Sequence, residues 1–567
     1  MIIKNSENSK YTEMIESRVS PIIQRIMRQK SITGLTIALV DDRGILLAKG
    51  YGFADEKERQ PATPSTIYKI GSITKLFTGT AAMQLYERGL LDIDKPVLEY
   101  LPEFSIKSRG GEISRITPRN LMTHHSGLQA DWYANYWNDD PHAFRQVIEY
   151  LQNSYLAFPP DTVFSYSNLA TSLMGIIIER VSHLSYQEFM EQNILSPLRM
   201  ADSAVDPKKV SSSLLSKAYA RHREVEDPIL RDAPAGAIFS NVQDMARFLS
   251  MVLAGGNLDG SAILGSKTLN EMLSVQNAVI PLDLGFQIGL NWMLGRPALS
   301  AAGRVCWHDG GSPHFFSMLI ALPDEKLGAV VLSNSDGGMI NVGVIADEML
   351  RQAFAVKTEK DLPSSGGPTA GPQIEGDKPK QLPTGVFAAA NGIVRITAYK
   401  ESLRARMQGM QFTLKDSGED WYSLRLLLLG FLPIKVASLE SLRLSVRSVE
   451  GRRILGMEQY GFRAPFGVEY LPVNIPAAWA ESLGEYRLTT RDRLPPFTSL
   501  RLKLNQGTLF LQATARKVGK MSLVLHPLTN GEAVVLGFGR TGGVTVELIS
   551  QDGSRKLRFL GLEFEKP

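Results

Sequence analysis

The apolar positions of this chain change period along its length, and the changes divide it. Residues 11–29 place Met14, Ile15, Val19, Ile22, Ile23, Ile26 and Met27 at helical spacing, which predicts an amphipathic helix. Runs rich in β-formers at Gly34–Asp42 and Ile45–Tyr51 surround Asp42-Arg43-Gly44 and predict a hairpin. From Ser72 to Arg88 nearly every position is small or apolar, with Ile73, Leu76, Phe77, Ala81 and Leu85 at helical spacings. A helix that is apolar on almost every face is a buried helix. Thr117-Pro118 has the N-cap and N1 pairing that opens a helix, expected to run to about His125. Asn168–Ser182, Val242–Leu253 and Ile340–Phe354 give three more helices, and 129–165 reads as a loop-like excursion over a cleft. Phe315–Leu322 and Gly328–Leu332, joined by Pro323-Asp324-Glu325-Lys326, predict a second hairpin. Strands at both ends therefore enclose a helix-rich middle. That order implies an α/β domain over residues 1–356: an antiparallel sheet flanked by helices, with a helical lobe beside it.

Beyond this region the pattern changes. Residues 357–383 carry Pro363-Ser364-Ser365-Gly366-Gly367-Pro368 and many charges, the composition of a flexible linker. Short alternating strands follow, and they repeat. Thr384-Gly385-Val386-Phe387 resembles Leu483-Gly484-Glu485-Tyr486, and Arg453-Ile454-Leu455-Gly456-Met457-Glu458 resembles Arg558-Phe559-Leu560-Gly561-Leu562-Glu563. Two pairs at nearly the same offset predict a duplicated all-β unit, over 384–474 and 475–567, each closing as a small barrel without exposed edges.

Composition changes this picture little. The 567 residues carry 62 Lys and Arg against 58 Asp and Glu, a net charge of +4, with no long basic run. Nucleic acid is therefore not an expected partner. The single cysteine, Cys306, excludes an internal disulfide and a cysteine-rich metal site. The N-terminus shows no apolar signal segment, which reads as cytoplasmic, with an exported form stripped of its leader as the alternative. Leu426–Ile434, the longest apolar suspect, is too short to span a membrane and reads as a buried strand and turn.

Candidate chemistry starts at Ser72 and Lys75, which share one face of the first turn of a buried helix. A serine becomes a nucleophile when a base takes its proton, and a desolvated lysine is such a base. A tyrosine held among cations is another. Tyr-x-Asn occurs at Tyr133, Tyr136 and Tyr166. The first two lie in the excursion and read as rim residues, whereas Tyr166-Ser167-Asn168 opens a buried helix. A basic residue followed by x-Gly occurs at His125, His308 and Lys517, and only His308-Asp309-Gly310 directly precedes a core strand.

Ser72-Ile73-Thr74-Lys75, Tyr166-Ser167-Asn168 and His308-Asp309-Gly310 together resemble the three motifs of the serine β-lactamase and penicillin-binding-protein superfamily. The form is that of class C β-lactamases, related DD-carboxypeptidases, D-aminopeptidases and family-VIII esterases. Residues 116–128 and 241–248 resemble it too, so the likeness covers about 11–355. It implies a β-lactamase/transpeptidase-type catalytic fold. Ser72 is then the acylated nucleophile, and Lys75 and Tyr166 carry its proton. Asn168 binds substrate or Lys75, and the amides of Ser72 and Gly311 form the oxyanion hole. His308 stands where the β-lactamases usually have Lys, and Asp309 where many have Thr or Ser. A carboxylate there disfavours carboxylate-bearing β-lactams and D-Ala-terminated peptides. The two β units resemble the tail of the D-aminopeptidases. The resemblance thus implies a serine hydrolase of small peptides, amides or esters, with no metal or cofactor, and it is compatible with a homo-oligomer. β-Lactamase or DD-carboxypeptidase activity, or a non-catalytic penicilloyl sensor, are the alternatives.

Overall fold

The structure is a computed structural model that describes residues 3–362, 383–390, 392–400, 402–428, 432–434, 436, 439–490, 493–515, 519–551 and 554–567. Its first part is built on an eight-stranded antiparallel sheet. The N-terminal hairpin, Gly34–Asp41 and Gly44–Asp55, joins the later strands Cys306–Gly311, Phe316–Leu322 and Leu327–Ser333 through pairing of Leu35 with Ser333 and of Asp41 with Leu327. Alternate residues of a strand face opposite ways, and both faces here are covered. Leu35, Ile37 and Leu39 pack under helices Ile3–Lys30 and Gly338–Thr358, whereas Ala38 and Val40 join the core containing helix Val242–Leu253. That double burial explains why the strand reads as a continuous apolar run.

The helical lobe is centred on Thr74–Glu87, in which every residue from Thr74 to Leu85 is buried. Asn168–Ser182 packs beside it, capped by the Ser167 side chain, which accepts from the Ala170 amide. Thr117 and Asn120 form a reciprocal cap on the short helix Pro118–Thr123, which ends on His124 at φ 61°.

The tail forms two closed eight-stranded antiparallel barrels. In the first, strands between Gly385 and Glu469 close through pairing of Met410–Asp416 with Tyr422–Leu428; the second runs from Gly484 to Glu565. Gly385-Val386-Phe387 and Gly484-Glu485-Tyr486 open equivalent first strands. The second pair of similar hexapeptides is not equivalent: Arg453–Glu458 lies within one strand, whereas Arg558–Glu563 crosses a turn at Leu560-Gly561. Most of the expected 357–383 linker lies outside the described residues, and the closing helix continues to Thr358. Leu426–Ile434 supplies two paired strand segments, but Leu428 and Leu432 are exposed rather than buried. Among the described residues no helix is long and apolar enough to cross a membrane.

The excursion over 129–165 is not a surface loop. It contains the helix Val147–Gln152 and is covered by the second barrel. The Tyr133 amide donates to the Leu560 carbonyl at 2.8 Å, and Phe158 stacks on Phe538 with centroids 5.8 Å apart. Arg109 bridges to Glu532 at 2.8 Å. This contact carries the last barrel to the edge of the cleft.

Candidate active site

Ser72 lies in a 3-10 turn, Gly71–Ile73, directly before the buried helix rather than inside its first α-turn. The turn depends on Gly71, whose φ of +54° and lack of a side chain let it lie against the strand Cys306–Gly311. A Cβ at Gly71 would sit 2.5 Å from the Gly311 nitrogen, and one at Gly310 would sit 2.0 Å from the Ile70 carbonyl. Ser317, paired with Gly310 on the neighbouring strand Phe316–Leu322, donates its hydroxyl to the Ile70 carbonyl at 2.7 Å. Ser72 and the Gly311 amide are thus brought to one place by close backbone packing.

Lys75 is fully buried, with Nζ 3.2 Å from Ser72 Oγ, 2.8 Å from Asn168 Oδ1 and 2.8 Å from the Ala235 carbonyl. Burial lowers its pKa to about 7, and the nearby Arg540 cation lowers it further against the opposing pull of Asp131, Asp232 and Asp309. The amine is therefore divided between its neutral and charged forms near neutrality.

Tyr166 sits before helix Asn168–Ser182, with Lys75 Nζ 4.8 Å from its ring centroid. His124 packs on its ring at 4.4 Å and His308 at 6.2 Å. Burial raises the Tyr166 pKa well above that of an ordinary phenol; a hydrogen bond to Ser72 and the Arg540 charge oppose the rise, and Asp309 adds to it. Tyr166 is a phenol at rest, not a tyrosinate.

His308 is also fully buried, and its Nδ1 donates to the Asp309 carbonyl at 2.6 Å. Burial lowers its pKa to about 4, with Lys75 acting in the same direction and Asp309 against it. A pKa that low keeps the imidazole in its neutral form near neutrality. Asp309, by contrast, is exposed, and its charge acts on Lys75, Tyr166 and His308. The other histidine candidate, His125, is bonded to Asp283 at 2.9 Å in a separate buried pair. Lys517 lies outside the described residues.

Sequence reasoning missed several residues of this site. Asp131 is buried and accepts from Asn168 Nδ2 at 2.8 Å and from the Tyr136 hydroxyl at 3.0 Å. Tyr136 is therefore buried beneath the site, not on its rim; the second barrel covers the segment that its polar composition marked as loop. Burial alone would push the Asp131 carboxyl up, but Arg540 and these hydrogen bonds hold it below the usual carboxylate range. Arg540 reaches Asp131 Oδ2 from the second barrel, with its guanidinium carbon 5.5 Å from the Tyr166 ring centroid. The one local signal for Arg540 is its position in a glycine-rich loop, Gly537-Phe538-Gly539-Arg540-Thr541-Gly542-Gly543. Behind Ala235, Arg231 and Asp232 form a fully buried ion pair at 2.9 Å directly before the short helix Ala233–Gly236.

The comparisons with known proteins agree with this architecture. A family model described as Beta-lactamase matches residues 19–353. Protein flp of Staphylococcus aureus strain N315 is 24% identical over 335 residues, covering 58% of this chain and 64% of that protein. The chain thus spans less than two thirds of the length of that relative. A beta-lactamase of Escherichia coli strain K12 is 24% identical over 351 residues, or 57% of this chain and 89% of that one. Among solved structures, an octameric penicillin-binding protein homologue from Pyrococcus abyssi aligns over 80% of this chain and 99% of its own, at 23% identity and a TM-score of 0.54. SurE aligns over 82% of this chain and 100% of its own, at 19% identity and a TM-score of 0.57. The likenesses to the two solved structures extend beyond the first domain and show the fold.

Proposed function

The chain belongs to the beta-lactamase family, and from that premise we propose that it is a serine hydrolase working through an acyl-enzyme on Ser72. The observation that carries this reading is the placement of the buried Lys75 amine 3.2 Å from Ser72 Oγ. A lysine of pKa about 7 is matched to general-base work near neutral pH. In its neutral form Lys75 accepts the Ser72 proton as Oγ attacks the scissile carbonyl. The oxyanion that forms lies against the amides of Ser72 and Gly311. Tyr166, a phenol bonded to Ser72, passes a proton to the leaving group, and the Lys75 ammonium returns one to it. Water then attacks the ester by the same route in reverse, releasing the acid and Ser72. Asn168 keeps Lys75 in place and is itself held by Asp131.

The substrate class follows from the exposed Asp309 carboxylate beside the cleft. It repels a substrate carboxylate and attracts an amine, which favours the free amino end of a small peptide, an amide or an ester over β-lactams. A D-aminopeptidase- or esterase-like activity fits this charge best. The solved structure of SurE with D-Leu adds a reason to include D-configured acyl groups among the candidates.

Intact-mass spectrometry with a fluorophosphonate tests the nucleophile: one adduct is expected on the native chain and none on S72A. No adduct on a folded native chain overturns the reading. D- and L-aminoacyl p-nitroanilides, short-chain p-nitrophenyl esters and nitrocefin then separate the substrate classes. Rapid nitrocefin turnover assigns a β-lactamase, and a lasting penicilloyl adduct assigns a penicillin sensor.

A further inference from the structure

Among the described residues, the charged groups with the largest effect on Lys75 include no permanent cation from the first domain. His308 is buried, and its Nδ1 is committed to donating to the Asp309 carbonyl. His124 is buried, and its Nδ1 accepts from the Ser167 amide at 3.2 Å, which requires the unprotonated nitrogen. Arg231 is spent on Asp232. The remaining groups that act on Lys75 are the carboxylates Asp131, Asp232 and Asp309 and the guanidinium of Arg540.

Arg540 is held in this position by construction. Its loop leaves the second barrel through Gly537 at φ 98° and Gly539 at φ 91°, and returns through Gly543 at φ 74°. A Cβ on Gly543 would meet the Ala157 carbonyl oxygen at 2.1 Å, so the loop and the first domain touch backbone to backbone. Phe538 is buried in a cluster drawn from the first domain and both barrels, with Val163, Leu282, Leu284, Val449 and Ile454. Between these anchors the guanidinium meets Asp131 and the Tyr166 ring.

We propose that Arg540 is the permanent cation of this active site, supplied by the last barrel in place of the charge that His308 does not carry, and that it keeps Lys75 in the neutral form that accepts the Ser72 proton. The inference rests on the acyl-enzyme reading of Ser72. A fixed positive charge disfavours a second one nearby, and within a partly desolvated cleft the effect is larger than in water. Removing Arg540 also unmasks Asp131, which stabilises the Lys75 ammonium. Both changes act in one direction. The second barrel is then part of the catalytic machinery, which gives a physical reason for its place against the cleft.

The test follows fluorophosphonate labelling as a function of pH, because it needs no knowledge of the substrate. Ser72 Oγ forms the O–P bond, fluoride leaves with the P–F electron pair, and the Ser72 proton passes to Lys75 Nζ. The native rate is expected to rise through about pH 7, following Lys75. In R540Q this limb moves up by about one pH unit, so labelling at pH 7 falls about fivefold while the alkaline plateau is retained. R540K keeps the charge and holds the limb near its native position. Methylguanidinium in solution restores labelling of R540G at pH 7, and urea at the same concentration does not. A limb at its native position in R540Q overturns the proposal even if the rate falls uniformly, since uniform loss is what a structural role produces. Should R540Q fail to fold, an R540K limb that moves up by about one pH unit overturns it. A native chain that is not labelled at any pH overturns the Ser72 reading itself, and this proposal with it.

Discussion

Arg540 and Asp131 form an ion pair across 409 positions of sequence, joining the last barrel to a carboxylate beneath the cleft. Asp131 is buried and about half of the Arg540 side chain is exposed, so the pair is worth more than a surface bridge and less than a fully buried one. D131N and R540Q are each expected to cost about 1–3 kcal/mol. Because each leaves the other group unpaired, the double variant is expected to fall short of the sum by about 1–2 kcal/mol. Scanning calorimetry on the four proteins measures this coupling. Strict additivity would show that the contact contributes nothing to stability.

The three candidate motifs were legible because each is short and local. Ser72 and Lys75 are fixed by three residues of spacing on a helix whose apolar pattern announces its burial. Tyr166 and Asn168 are fixed by the mouth of another such helix, and His308 by the strand that follows. The β-rich tail was legible through its alternation, and its two closed barrels match that pattern. What sequence could not supply was the contact between tail and cleft. Tyr136 was misassigned to the rim because polar, aromatic composition marks a loop, and only the covering barrel buries it. Arg540 and Asp131 carry no shared local pattern, so no periodicity links them. The second hexapeptide likeness failed for a related reason: Leu and Gly recur in strands and in turns alike.

Gly71 is expected to be irreplaceable by residues with side chains. At φ +54° an alanine pays about 1–3 kcal/mol of backbone strain, and its Cβ would lie 2.5 Å from the Gly311 nitrogen. Relief requires the Ser72 turn and the strand to separate, which moves the two amides apart. Misplacing one oxyanion donor costs about a hundredfold or more in rate. G71A is therefore expected to fold, with a lowered melting temperature, and to lose labelling at Ser72 by at least that factor. Near-native labelling would remove the two amides from the mechanism.

The pH dependence distinguishes Lys75 from His308. Lys75 must be neutral to accept a proton, so the rate rises with pH through its pKa of about 7. His308, at about 4, is neutral throughout this range and adds no limb near neutrality. In H308N the limb is expected to remain near pH 7, with a change mainly in plateau height. A limb that disappears in H308N assigns it to the imidazole instead.

Asp309 is predicted to act on both selectivity and pH, with a sign opposite to that of Arg540. Its carboxylate is exposed at the cleft and stabilises the Lys75 ammonium. D309T removes that stabilisation, so the Lys75 pKa falls and the acid limb of the rate moves to lower pH, where R540Q moves it higher. The same substitution removes a repelling charge and supplies a hydroxyl donor for a substrate carboxylate. Nitrocefin turnover is therefore expected to rise about tenfold or more in D309T, and cleavage of substrates with a free amino end is expected to fall by a similar factor. The two readouts are separable, since one follows the pH of the limb and the other the ratio of kcat/KM between substrates. An unchanged substrate ratio with a shifted limb would confine Asp309 to the electrostatics of Lys75. A limb that stays in place while nitrocefin turnover rises would confine it to substrate selection.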